Sequence, residues 1–153
     1  MDYELAFSIA NASVLPGWLL LFVIPHHRFT QIVVHSVLMP ALLGLAYVAF
    51  IGIGMTSSGG GDFSSLAGVM ELFEHEPAVL GGWIHYLVFD LFVGAWIVRD
   101  GKRRGVHRVW VSVCLFFTLM LGPSGLLAYL AGRALAKGDR VSLDETTAVA
   151  VEG

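Results

Sequence analysis

His85 and Asp90 stand five residues apart in the apolar stretch Trp83-Ile84-His85-Tyr86-Leu87-Val88-Phe89-Asp90-Leu91 and are the residues best suited to move protons. Ionisable side chains inside a membrane-spanning helix are costly, so they tend to mark function. At the bilayer centre an idle carboxyl is expensive even when protonated. Five helical residues advance about 7.5 Å and rotate about 140°, so the two side chains project to different faces. Asp90 shares its stripe with Trp83, Tyr86, Val93 and Gly94, and His85 shares one with Phe89, Phe92 and Trp96. Aromatic stripes of this kind suit a packed bundle or a pocket for a flat apolar ligand. The competing reading makes Asp90 an acceptor for a neighbouring helix and His85 the cap of an aromatic core.

Other polar groups fall at compatible depth in other apolar runs. Asn11 lies in the first, and Thr118 and Ser124 lie in the last. Convergence would build one polar site with Trp83, Tyr86 and Phe89 as its walls; otherwise these groups are helix-to-helix hydrogen bonds. Pro16, Pro40 and Pro123 each remove a backbone donor in or near a run. A haem reading needs axial histidines from two helices at one depth. His85 is alone at its level, while His26, His27, His35 and His107 gather elsewhere, so His35 with a histidine of the first loop is the one conceivable pair. Glu71 and His75 have the i, i+4 spacing of a ligand pair, against the simpler reading of a solvated acidic face. Cys114 is the lone cysteine and offers no disulfide or CxxC site. No cofactor and no metal are expected.

The elements that position these groups are set by hydropathy. Hydrophobic residues make up 56% of 153 and charged residues 14%, with mean hydropathy +0.75, which is membrane-protein usage. The expected fold is all-α: an integral membrane bundle of four transmembrane helices over residues 5–24, 32–53, 78–98 and 109–131, forming one domain over 1–137. Residues 138–153 read as a disordered polar tail. Between the second and third helices, Asp62 has the look of an N-cap for a short interfacial helix carrying Phe63, Leu66, Met70 and Phe73. Asp2 and Glu4 precede the first run where a secretory signal needs positive charge. No transit peptide precedes it, which points to a prokaryotic inner membrane. Counting Lys and Arg places Arg28, Arg99, Lys102, Arg103, Arg104 and Arg108 inside and Arg133, Lys137 and Arg140 outside, with both termini outside. The net charge of −3 and the lack of a basic, aromatic surface argue against nucleic acid. Membrane lipid and a hydrophobic substrate are the expected partners, and a homo-oligomer is compatible with the sequence.

The stretch Gly82-Trp83-Ile84-His85-Tyr86-Leu87-Val88-Phe89-Asp90-Leu91-Phe92-Val93-Gly94 resembles the signature of the abscisic-acid-deficiency-four family of neoxanthin-synthase-like membrane proteins. Val14-Leu15-Pro16-Gly17-Trp18-Leu19-Leu20-Leu21, Cys114-Leu115-Phe116-Phe117 and Gly122-Pro123-Ser124-Gly125 add to the likeness. The resemblance implies a four-helix membrane protein related to those that make neoxanthin from violaxanthin, by isomerising an epoxide to an allenic alcohol. Such chemistry needs an acid on the epoxide oxygen and a base that removes a proton from the polyene. On this resemblance Asp90, kept protonated by its apolar setting, is the acid and His85 the base, or the two exchange roles, acting on a carotenoid or another polyene lipid; a non-enzymatic binding or accessory protein is the alternative. Many family members have DLFxxR from the aspartate onward. Here the arginine position holds Ala95, and the nearest arginine is Arg99.

Overall fold

A computed structural model describes residues 1–57, 61–134 and Leu143, and among them every regular element is an α-helix. The elements are α1 (Tyr3–Val23), α2 (Arg28–Val33), α3 (Leu38–Ser57), α4 (Leu66–Leu72), α5 (Glu76–Arg103), α6 (Arg108–Leu121) and α7 (Pro123–Arg133). Three segments are long and apolar enough to cross a membrane: Tyr3–Val23, Arg28–Ser57 taken across its internal turn, and Glu76–Arg103. The expected tail at 138–153 lies outside the described residues, Leu143 excepted. Packing divides the chain into two compact units, Met1–Gly17 with Ser36–Phe89, and Trp18–His35 with Asp90–Gly153. Helices α1 and α5 contribute to both.

Helix α1 starts where the Asp2 carboxylate accepts from the Leu5 N–H at 2.9 Å. It buries Ala10, Val14, Trp18 and Leu21, spaced three or four residues apart, and leaves Leu5, Ile9, Leu15, Leu19 and Val23 exposed. A helix that is apolar all round belongs in lipid rather than water.

In the first unit, the segment expected as one helix over 32–53 begins at Leu38. Pro40 lacks the N–H that would continue a helix from Ser36, and its ring crowds that carbonyl. The helix therefore restarts, with the Ser36 hydroxyl accepting from the Leu38 N–H at 3.2 Å. The expected short helix between the second and third spans is present as α4, but its N-cap is Ser65, whose hydroxyl accepts from Gly68 N–H at 3.0 Å. Asp62 instead accepts from both the N–H and the hydroxyl of Ser64 at 2.8 Å. This local turn competes with capping and holds the exposed Asp62 carboxyl below its ordinary range. Leu66 and Met70 remain exposed while Leu72 is buried, an amphipathic pattern suited to a membrane surface.

The second unit departs most from the four-helix expectation. The run 109–131 is two helices joined at Gly122, which takes φ +52° and is followed by Pro123 at the first position of α7. A positive φ favours glycine, and proline cannot extend the preceding helix. The chain turns back there. Gly125 lies against the backbone of Cys114 and Thr118, and Gly132 lies against the Trp110 indole, contacts that only an antiparallel hairpin brings together. Fourteen and eleven residues reach about 21 Å and about 16 Å. Neither crosses a hydrocarbon core of about 30 Å.

Charge closes the hairpin. Asp100, near the end of α5, is 1% exposed. The Tyr129 hydroxyl of α7 donates to its Oδ2 at 2.7 Å, and Arg133 Nε lies 3.4 Å from the same oxygen. Arg104 Nε and Arg103 Nη2 reach Oδ1 at 3.0 and 3.3 Å. Trp96 of α5 meets Tyr129 edge-on at 5.6 Å, with the Arg133 guanidinium over its ring at 5.9 Å. At the other end of the unit's α1 segment, Arg108 Nη2 donates to the carbonyl of Val23 at 2.9 Å, satisfying an end that has no internal partner.

Four outcomes are expected of stability measured by denaturant titration of the detergent-solubilised chain. Asp100→Ala leaves buried guanidiniums uncompensated and costs about 3–5 kcal/mol, whereas Tyr129→Phe loses one hydrogen bond to a charged group and costs about 1.5–3 kcal/mol. Gly125→Ala pushes a methyl into the α6 backbone, which cannot yield, and costs about 1–3 kcal/mol. Gly44→Ala, with nothing within 4 Å of the added carbon, is tolerated.

Candidate functional site

His85 and Asp90, the residues expected to move protons, lie on α5, the longest helix among the described residues, which runs unbroken from Glu76 to Arg103. No proline or glycine pair interrupts it after Gly82, and its last turn carries Lys102 and Arg103, whose charges suit a helix C-terminus.

In the first unit, His85 is exposed on the outside of α5. Its ring stacks on Phe89 with centroids 4.5 Å apart and planes 26° from parallel, and Tyr47 of α3 lies 5.5 Å away. Phe89 is 55% exposed, so the imidazole and the Phe89 ring face outward, with Tyr47 half-buried beside them. On a helix that crosses lipid, this surface meets hydrocarbon directly. A second aromatic group lies on the same helix: Trp83 is 5.5 Å from Phe7 and 5.2 Å from Tyr86. The Trp83 indole N–H donates to Asn11 Oδ1 at 3.0 Å, while the Asn11 amide donates to the Phe7 carbonyl at 3.0 Å. Asn11, Trp83 and Tyr86 are thus brought together, and His85 joins Phe89 and Tyr47.

In the second unit, Asp90 is buried, at 9% exposure. Gly94, one turn on, is packed by the Trp18 ring and Leu115. Ala95, at the position of the family arginine, is also buried. Arg99 is committed elsewhere: its Nη1 lies 3.0 Å from His35 Nδ1, and His35 Nε2 lies 3.2 Å from the Pro25 carbonyl. A guanidinium only donates and a carbonyl only accepts, so His35 is the neutral tautomer with its proton on Nε2. With both ring nitrogens engaged, His35 is a poor axial ligand, which weakens the one haem pairing the sequence offered. Among the described residues, no group of three or more His, Cys, Asp or Glu side chains is placed to hold a metal ion.

Thr118 and Ser124 belong to the hairpin. Thr118 is fully buried and its hydroxyl donates to the Cys114 carbonyl at 2.9 Å, a bond internal to α6. Ser124 is exposed in the first turn of α7. Reasoning from the sequence missed Asp100, Tyr129 and Arg133. Asp100 was hidden among Arg99, Lys102, Arg103 and Arg104 and looked like part of a solvated loop. The available signal was a tyrosine and an arginine four residues apart on one helical face, Tyr129 and Arg133, following a Gly-Pro break.

A family profile described as ABA DEFICIENT 4-like matches residues 5–129. A similar curated protein is "Protein ABA DEFICIENT 4, chloroplastic" of Arabidopsis thaliana, 28% identical over 137 residues, covering 84% of this chain and 60% of that protein. The chain therefore spans less than two thirds of that relative's length. That relative's chloroplast assignment lends nothing to the bacterial inner membrane expected above. No solved structure matches. With the profile covering the first, second and third spans and most of the hairpin, the chain belongs to the ABA DEFICIENT 4-like family.

Proposed function

We propose that this protein is a membrane-embedded isomerase that acts on a carotenoid or related polyene lipid through proton transfer by His85 and Asp90. The observation that carries the reading is the outward-facing His85 stacked on Phe89 beside Tyr47. An imidazole facing lipid is expensive unless it meets something polar there, and a polyene with an oxygen function near its end is both apolar enough to dissolve in the bilayer and polar enough to meet it. The flat rings of Phe89 and Tyr47 suit a conjugated chain. The isomerisation needs one proton delivered to the oxygen as the carbon–oxygen bond breaks and one removed from the polyene as the new double bond forms, so it is balanced without an electron acceptor. Asp90, buried five residues further along the same helix, is the second group, assigned on the family resemblance alone.

Expression in a carotenoid-producing host is expected to convert a pigment, and His85→Ala and Asp90→Asn are each expected to slow conversion by about 10²–10⁴-fold while leaving expression and bound pigment intact. Pigment that copurifies chemically unchanged with the unsubstituted protein would mean binding without catalysis. Loss of the folded protein in either variant would assign that residue to structure.

The basic residues support an orientation. All seven Lys and Arg among the described residues, from Arg28 to Arg133, belong to the second unit, and the first unit contains none. The positive-inside rule then places the ends of α1 and α5 on the cytoplasmic side. Because the hairpin returns to Asp100, Ala134 lies on that side too. We infer on this ground an N-terminus outside and residue 134 inside, in place of the expected topology with both termini outside. In a Cys114→Ala background, a membrane-impermeant maleimide on intact cells is expected to label Ser57→Cys, and Ala134→Cys only after permeabilisation. Labelling of both in intact cells would restore a fourth crossing.

A further inference from the structure

The second unit contains a cavity of about 100 Å³ whose lining joins His26, Lys102 and Arg108 to the apolar side chains of Leu21, Val98 and Val111, with no carboxylate among its walls. We propose that this cavity is a binding site for the phosphate of an anionic lipid headgroup at the membrane surface.

Three observations converge on a phosphate. The exposed Lys102 and Arg108 bring two permanent charges to the lining of one small space, and although Arg108 Nη2 donates to the Val23 carbonyl, neither forms an ion pair with a carboxylate among the described residues. Asp100, two residues before Lys102 in the sequence, is already held by Tyr129, Arg103, Arg104 and Arg133. Burial, together with the charges of Lys102 and Arg108, holds the His26 imidazole below its ordinary range, as expected where positive potential is concentrated. An anion relieves that repulsion, and a phosphate accepts from both Lys and Arg. The mixed lining fits a lipid phosphate better than a free ion. Its charged residues adjoin the apolar end of α1 and the basic end of α5, the combination that a lipid headgroup with its chains would meet. Polybasic segments beside transmembrane helices attract anionic lipids.

The test is native mass spectrometry of the full detergent-solubilised chain titrated with dioleoyl phosphatidylglycerol or dioleoyl phosphatidylcholine. The unsubstituted protein is expected to retain phosphatidylglycerol preferentially. Lys102→Gln is expected to lower that preference about fivefold, the worth of one cationic side chain near the surface, and Lys102→Arg to restore it. Arg28→Gln removes the same charge from a position that is exposed, as Lys102 is, but lies outside the cavity, and is expected to leave the preference within about twofold. Competition by millimolar inorganic phosphate would assign recognition to the phosphate group alone, and its failure would assign it to the whole lipid; both support the site. Equal retention of the two lipids, or equal losses in Lys102→Gln and Arg28→Gln with unchanged thermal unfolding, would overturn it.

Discussion

The Asp100 carboxylate gathers donors from two helices: Tyr129 and Arg133 reach it from α7, and Arg103 and Arg104 from the end of its own helix. In lipid, apolar surface gives helices little reason to associate, so close packing and polar contacts decide which arrangement persists. The α6–α7 hairpin depends on this more than the long helices do. Its helices are too short to be fixed by spanning, and without Asp100 their return path is no better than a straight continuation into the bilayer. Once Tyr129 and Arg133 are docked, Gly125 must lie on the α6 backbone and Gly132 under Trp110. The small residues are consequences of the clamp's geometry, since any side chain there would hold the two helices apart.

How much was legible in the sequence follows from what hydropathy can and cannot see. The first and third spans were readable because a long apolar run with charged ends has one low-energy solution in lipid. The run 109–131 met the same criterion, yet it folds as a hairpin. An average over twenty residues does not register one glycine at φ +52° followed by a proline. The second run failed in a smaller way, since Pro40 moved the helix start without changing the crossing. At α4, Asp62 and Ser65 are both good caps, and the choice between them depended on whether Ser64 offered Asp62 a closer turn.

For the candidate site, the sequence yielded angles but not faces. Five residues between His85 and Asp90 imply a rotation of about 140°, and one side chain is indeed exposed while the other is buried. Which one faces outward could not be read, because both stripes are aromatic and lipid accepts aromatic rings as readily as a protein interior does. The arginine missing at Ala95 has a similar lesson. Arg99 carries a charge one turn away, but its partner is His35, a relationship across 64 residues of sequence that no local spacing announces.

The hairpin also explains a distribution of charge that a four-helix reading left contradictory. With four crossings, Arg133 falls on the opposite side from Arg99 and Arg108, and the positive-inside rule is opposed by the protein's own tail. With the chain turning back at Gly122, Arg133 joins the others. The clamp itself requires this. Three guanidiniums around one carboxylate leave a positive excess, which is prohibitive at the bilayer centre but tolerable where the long arginine side chains can extend their charge toward water. The same electrostatics that supports the proposed orientation of α5 therefore also bears on where Asp100 can lie. A clamp built of these residues is stable only at the basic end of the helix, and the two short helices it holds must return to that end.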